Sequence, residues 1–97
     1  MKALRIDRHG VTEVEADEQE ILSPEVTWGT LDFGGAHDIW YDDEGLFAPD
    51  AFMASVGKHQ RVPLPAYLIG VDGERCVDRT MSADELRSLL GEIRPVA

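Results

Sequence analysis

This chain predicts an α+β fold: a small, mostly antiparallel sheet built from hairpins, with two short helices, the C-terminal one packed on the sheet. Three observations carry that prediction. "AYLIGVDGERCVD" sets Asp72-Gly73, a strong hairpin signal, between two strand-like runs. "KALRID" and "AHDIWY" alternate apolar and polar residues with the two-residue period of a strand. "MSADELRSLLG" carries a helix start, with Ser82 three residues before Glu85.

Each element follows from local chemistry. In "KALRID", Leu4 and Ile6 share one strand face and Ala3, Arg5 and Asp7 the other. Asp7 to Gly10 make a turn, because glycine adopts positive φ without steric cost. "VTEVEADEQEIL" fits two readings. As a strand it aligns Glu13, Glu15 and Asp17, with ~6.6 Å between successive side chains; as a short helix it scatters them. "SPEVTWGTL" can open a helical turn on Ser23 and Pro24, kept short by Gly29, Gly34 and Gly35.

"AHDIWY" is a strand that points Ile39 and Tyr41 one way and Trp40 the other. Asp42, Asp43 and Glu44 sit at the following bend, Gly45 turns the chain, and "LF" starts a further strand. "PDAFMASVG" reads as a helix from Pro49 to about Val56 that buries Phe52, Met53 and Val56. Gly57 is its stop, with Lys58 and His59 beside the negative helix end. In the last hairpin, a two-residue loop at Asp72-Gly73 sets Ile69 opposite Cys76 and Leu68 opposite Val77. The terminal helix has a Ser82–Glu85 capping box, a Met81–Leu86 staple, and a buried stripe of Leu86, Leu89, Leu90 and Ile93.

Composition narrows the function. A chain of 97 residues, 43% hydrophobic and 29% charged, is one folded domain with a single modest core. The charge-free run Val62 to Val71 falls well short of the ~18 apolar residues of a membrane helix. Charges at Arg5 and Asp7 leave no signal-peptide core. A lone Cys76 excludes an internal disulfide, so the expected location is the cytoplasm.

Net charge is −10 and uneven. No Lys or Arg occurs between Arg8 and Lys58, and twelve carboxylates lie in that gap, from Glu13 to Asp50. Phosphate backbones are met by Lys and Arg, so direct nucleic-acid binding is not expected. The acidic half would attract basic protein surfaces instead.

Motifs of chemistry are weak. Counted from Asp38, the third position of a calcium loop is Trp40, which has no ligand oxygen. His9, His37, His59 and Cys76 stand 28, 22 and 17 residues apart, unlike paired zinc ligands; the bland reading is three surface or turn histidines. Ser23 and Ser82 read as caps, and Ser55 and Ser88 lack a nucleophile elbow. Cys76 reads as a small buried hydrophobe in mid-strand. "GKH" at Gly57 lacks the upstream glycine of a phosphate loop. Asp42 and Asp43 could in principle serve as acid and base, but carboxylates on a solvated turn are weak catalysts near neutral pH. No catalytic residue, metal or cofactor is expected.

"KALRID", "DIWYDDEGLF" and "YLIGVDGE" before a terminal helix resemble a family of small acidic proteins of unknown function from actinobacteria and their phages and plasmids. The resemblance covers most of the chain. That family has an Asn after the proline of "PDAFMAS", where this chain has Asp50. The resemblance implies a mobile-element setting, which points to an accessory or inhibitory role rather than a metabolic one. It implies no catalytic residue.

Two functional classes result. The first is a non-catalytic acidic interaction protein, in its sharpest form a DNA-charge mimic that inhibits a nucleic-acid-handling or defence protein. Its partner-binding face would comprise Glu13, Glu15, Asp17, Glu18, Glu20, Asp38, Trp40, Tyr41, Asp42, Asp43 and Glu44. Trp28, Trp40 and Tyr41 fall in this acidic half, where an exposed aromatic ring serves as an interface anchor; alternatively Trp40 fills the core with Tyr41 at its margin. The bland alternative is charge that serves solubility alone. The second class is a small-molecule, nucleotide-like binding or sequestering module using Lys58, Arg61, Arg75 and Arg79, with glycine loops near Gly29 and Gly34-Gly35 supplying backbone donors. Monomer and dimer both remain open.

Overall fold

A computed structural model describes residues 1–17, 28–33, 36–45, 50–56, 60–73 and 75–96. Ser23, Pro24, Gly34, Gly35, Leu46, Phe47, Gly57, Lys58 and His59 lie outside the described residues. So do Glu18 and Glu20.

Nine strands and one helix are described: β1 (Lys2–Asp7), β2 (Gly10–Glu15), β3 (Trp28–Asp32), β4 (His37–Asp42), β5 (Phe52–Val56), β6 (Gln60–Pro63), β7 (Ala66–Asp72), β8 (Arg75–Val77), α1 (Ala83–Leu89) and β9 (Leu90–Pro95). The first sheet runs β2-β1-β7-β4-β3, with β8 also paired to β7; the second runs β6-β5-β9. Every described pairing is antiparallel. The mostly antiparallel sheet is thus present, but strands dominate and only one helix is found among the described residues.

Alternation decides the faces. Leu4 and Ile6 of β1, Ile39 of β4, and Ala66 and Leu68 of β7 turn to one side of the first sheet and are fully buried. They meet Ala54, Val56 and Val62 of the second sheet and Ala83 and Leu86 of α1 in one cluster. Burying each large side chain here stabilises the fold by about 2 kcal/mol. Ile39 and Tyr41 point into this core and Trp40 away from it, as the strand pattern predicts.

The helix predicted over Pro49 to Val56 is not formed over its described residues, 50–56. Phe52–Val56 is a strand, paired to β6 on one side and β9 on the other. Phe52, Ala54 and Val56 face the core at a spacing of two, and the ladders on both edges outweigh a marginal local helix preference. The terminal helix is also shorter than predicted. It stops at Leu89, and Leu90–Pro95 becomes β9, with Ala54 opposite Ile93 and Val56 opposite Leu90. Leu90 and Ile93 still pack on the core, now from a strand, while Leu89 is 50% exposed and leaves the predicted stripe.

Both ends of α1 show why it forms at all. The Ser82 hydroxyl accepts a hydrogen bond from the Glu85 N–H at 3.1 Å, and Met81 packs on the cluster that holds Leu86. Arg87 reaches across to donate to the Val11 carbonyl at 3.0 Å, tying the helix to β2. Ser82→Ala should cost about 1 kcal/mol in urea denaturation, the usual worth of an N-cap.

The last hairpin differs in register. Asp72 pairs with Arg75, Val71 with Cys76 and Gly70 with Val77, two residues along β7 from the predicted partners. The loop opens on Gly73, whose φ of +64° meets the positive-φ demand of a tight hairpin at its first position. A slip of two residues leaves every side chain on its predicted face. Cys76 is accordingly half-buried and packs with Ile69, although it sits opposite Val71.

His37 corrects the surface assignment of the histidines. It is 6% exposed, and its Nε2 accepts from the Thr80 N–H at 3.2 Å and the Met81 N–H at 3.3 Å. The side chain thereby fastens β4 to the segment leading into α1. His37→Ala strands both donors and should lower unfolding free energy by about 2 kcal/mol, measurable by urea titration.

Candidate functional site: an aromatic and acidic sheet face

The side of the first sheet opposite the core carries part of the predicted aromatic and acidic set: Trp28, Asp38, Trp40 and Asp42. Register places Arg5 of β1 beside Tyr67 of β7, Tyr67 beside Trp40 of β4, and Trp40 beside Thr30 of β3. Trp28 stands diagonally next to Trp40 on the same face. The Trp28 ring meets both neighbours edge-on: its centroid is 6.4 Å from Trp40 at 67° and 6.4 Å from Tyr67 at 72°. Such T-shaped contacts match the positive ring edge to the negative face. The Arg5 guanidinium lies 5.9 Å above the Tyr67 ring, a cation–π contact.

Beneath the rings, Ala3 and Ile69 are fully buried, whereas Trp28, Trp40 and Tyr67 keep part of their surface exposed. The indole N–H groups of Trp28 and Trp40 are buried and find no acceptor among the described residues. Buried donors without partners cost stability and are uncommon in folded proteins.

Carboxylates border the rings. Asp32 and Asp38 are direct partners across β3 and β4 and lie on this face; Asp42 lies there too, next to Trp28 in register. Burial, and then the nearby charge of Asp32, hold the Asp38 carboxyl above the usual carboxylate range. Like charges directly opposed on a sheet destabilise it. The sign is therefore fixed: the pair costs nothing when Asp38 is protonated at low pH, and its cost appears as pH rises through the Asp38 range. Asp38→Asn should raise stability at neutral pH by a few tenths of a kcal/mol, with the gain gone near pH ~3. Thermal unfolding at the two pH values checks this.

The predicted acidic set divides between surfaces. Asp38, Trp40 and Asp42 share the aromatic face, and Asp43 and Glu44 occupy the exposed turn just beyond it, with the Asp42 carboxylate accepting from the Glu44 N–H at 3.0 Å. Tyr41 faces the core, its ring fitted over Gly29, where a Cβ would collide with it. Glu13 and Glu15 point to the opposite side of β2, in line with Val11. There Glu13 pairs with Arg79 at 2.5 Å and Glu15 with the α-amino group at 3.3 Å. Asp17 is exposed beyond the end of β2.

The described members of the predicted cation set lie on different segments of the chain. Arg61 is exposed on β6 of the second sheet, Arg75 is exposed on β8, and Arg79 is committed to Glu13 and the Met81 carbonyl. Sequence reasoning missed Tyr67 as a member of the aromatic face. The available signal was its place in "AYLIGV", where alternation sets it against Leu68. Among the described residues, no three His, Cys, Asp or Glu side chains gather closely enough to hold a metal ion. No helix among them is long and apolar enough to cross a membrane.

The class these features define is a small, strand-dominated protein with one described helix and an aromatic, acid-rimmed sheet face. Comparison with protein-family models, with curated proteins and with solved structures gives no match.

Proposed function

We propose that this chain is a non-catalytic acidic interaction protein whose aromatic sheet face binds a basic surface on a protein partner. The Asp32–Asp38 pair carries this reading. Two carboxylates opposed next to the partly exposed Trp40 ring repel one another, and a cation arriving between them relieves that repulsion. An Arg or Lys side chain from a partner does this and stacks on Trp40, the ring that neighbours the pair on the same face. Asp42, Asp43 and Glu44 at its border, and the net charge of −10, speed the approach of basic partners.

In its sharper form the partner is a nucleic-acid-handling or defence protein, blocked where DNA would lie. That form rests on the net charge and on the family resemblance. A nucleotide-like ligand held by Lys58, Arg61, Arg75 and Arg79 has less support, because Arg79 already pairs with Glu13.

The test is capture from host lysate on the immobilised chain at roughly 50 mM and 500 mM salt, with the Asp32→Asn/Asp38→Asn variant in parallel. One dominant partner, released by high salt, competed by DNA and lost with the variant, is the expected outcome. Weak capture of many basic proteins, equal for the variant, would mean that the charge serves solubility alone.

A further inference from the structure

A second site lies at the end of the first sheet where the β1–β2 hairpin approaches the start of β5. A cavity of about 390 Å³ opens there, within the size range of small-molecule sites. Arg5, Arg8 and His9 line it together with Phe52, Leu64 and Pro65. The first fifty residues hold only three Lys or Arg, and two of them meet in this cavity.

Both guanidinium groups are set by their surroundings. Arg8 lies 5.6 Å over the Phe52 ring, with its Nε 3.4 Å from Nε2 of His9. Arg5 is stacked on Tyr67, and its Nε stands 3.5 Å from a carboxylate oxygen of Asp7. The other Asp7 oxygen accepts the His9 N–H at 2.8 Å, so this carboxylate works within the hairpin. Asp50, also on the cavity wall, is exposed. The Arg5 Nε–H is buried and has no hydrogen-bond acceptor among the described residues. The Arg5 side chain as a whole is 42% exposed, so beyond the enclosed Nε its guanidinium stands at the cavity wall open to an anion.

We infer that this cavity binds the anionic group, phosphate or carboxylate, of a small organic ligand whose apolar body rests on Phe52 and Leu64. Planar guanidinium groups suit both anions, which they grip through paired N–H donors. The net charge of −10 opposes the approach of any anion, so the attraction is local and binding is modest. This site is separate from the sheet face proposed for the partner; Arg5 alone touches both.

The test is an NMR titration of the full chain, following backbone amides, with phenyl phosphate, benzoate and uncharged phenol as probes. Saturable shifts at Arg8, His9 and Phe52 with either anion, absent with phenol, are expected. Arg8→Gln, in an exposed turn at the rim of the core, should weaken binding at least ~10-fold with the spectrum otherwise retained. The preferred anion identifies the ligand's acidic group. No saturation by either anion up to on the order of 10 mM, equal binding of phenol, or unchanged affinity in Arg8→Gln would each overturn the inference.

Discussion

Gly70→Ala should destabilise the fold by about 3 kcal/mol or more, the largest effect expected of a methyl added at the described glycines. Gly70 lies on the core side of β7, opposite Val77. A Cβ there would collide with the Asp78 backbone carbonyl and press on that of Val77. Backbone cannot rotate aside as a side chain can, so the chain leaving β8 must move. That chain holds several bonds: the Asp78 carboxylate accepts the Lys2 N–H at 2.8 Å, the Arg79 N–H donates to the Lys2 carbonyl at 2.9 Å, and Thr80 and Met81 donate to His37. Displacing it weakens the join of β1 to the α1 lead-in as well as the packing. Gly73→Ala is the contrast. Nothing lies within 4 Å of a Cβ there, so only the positive φ is penalised, at about 1 kcal/mol. Urea denaturation of both variants separates a close approach from a turn preference. Equal costs would remove the account given for Gly70.

The second large effect concerns binding. Trp40→Ala should lower affinity for a basic partner roughly 100-fold, as truncating a central aromatic anchor does. Trp40 also packs on Ile69, so part of any loss reflects a weakened fold. The Asp32→Asn/Asp38→Asn variant removes that ambiguity. It keeps every ring, relieves a like-charge contact and should unfold at higher temperature, yet bind about 10-fold more weakly. A variant that is more stable and less able to bind marks residues kept for recognition. If affinity survives both substitutions, the aromatic face is not the interface.

Local patterns were legible wherever one element decides its own conformation. Leu4 with Ile6, and Ile39 with Tyr41 against Trp40, follow strand alternation and are found so. Ser82 and Glu85 cap a helix through bonds that span three residues. The misreadings come from long-range pairing. "FMASV" is too short for periodicity to choose between helix and strand, and β9, some forty residues later, makes the choice. The same ladder ends the last helix at Leu89. His37 looked like a surface residue because its partners, Thr80 and Met81, are more than forty positions away.

The site was legible in part for a related reason. "DIWYDD" does supply Asp38, Trp40 and Asp42 to one face, since a single strand fixes their parity. Whether Glu13 joins them depends on how β2 registers with β1, β7 and β4, and that register sends it to the other side. Tyr67 and Arg5 reach the rings only through the β1–β7–β4 pairing.

The central claim is that the face bearing Trp28, Trp40 and the Asp32–Asp38 pair receives cationic side chains. Its most direct measurement is an NMR titration with a short arginine-rich peptide, following the two indole N–H signals and the backbone amides. Saturable shifts of both indole signals and of Asp32 and Asp38, absent from Glu13 and Glu15 and lost in Asp32→Asn/Asp38→Asn, are predicted. Shifts strongest at Glu13 and Glu15, or unchanged in that variant, would contradict the account.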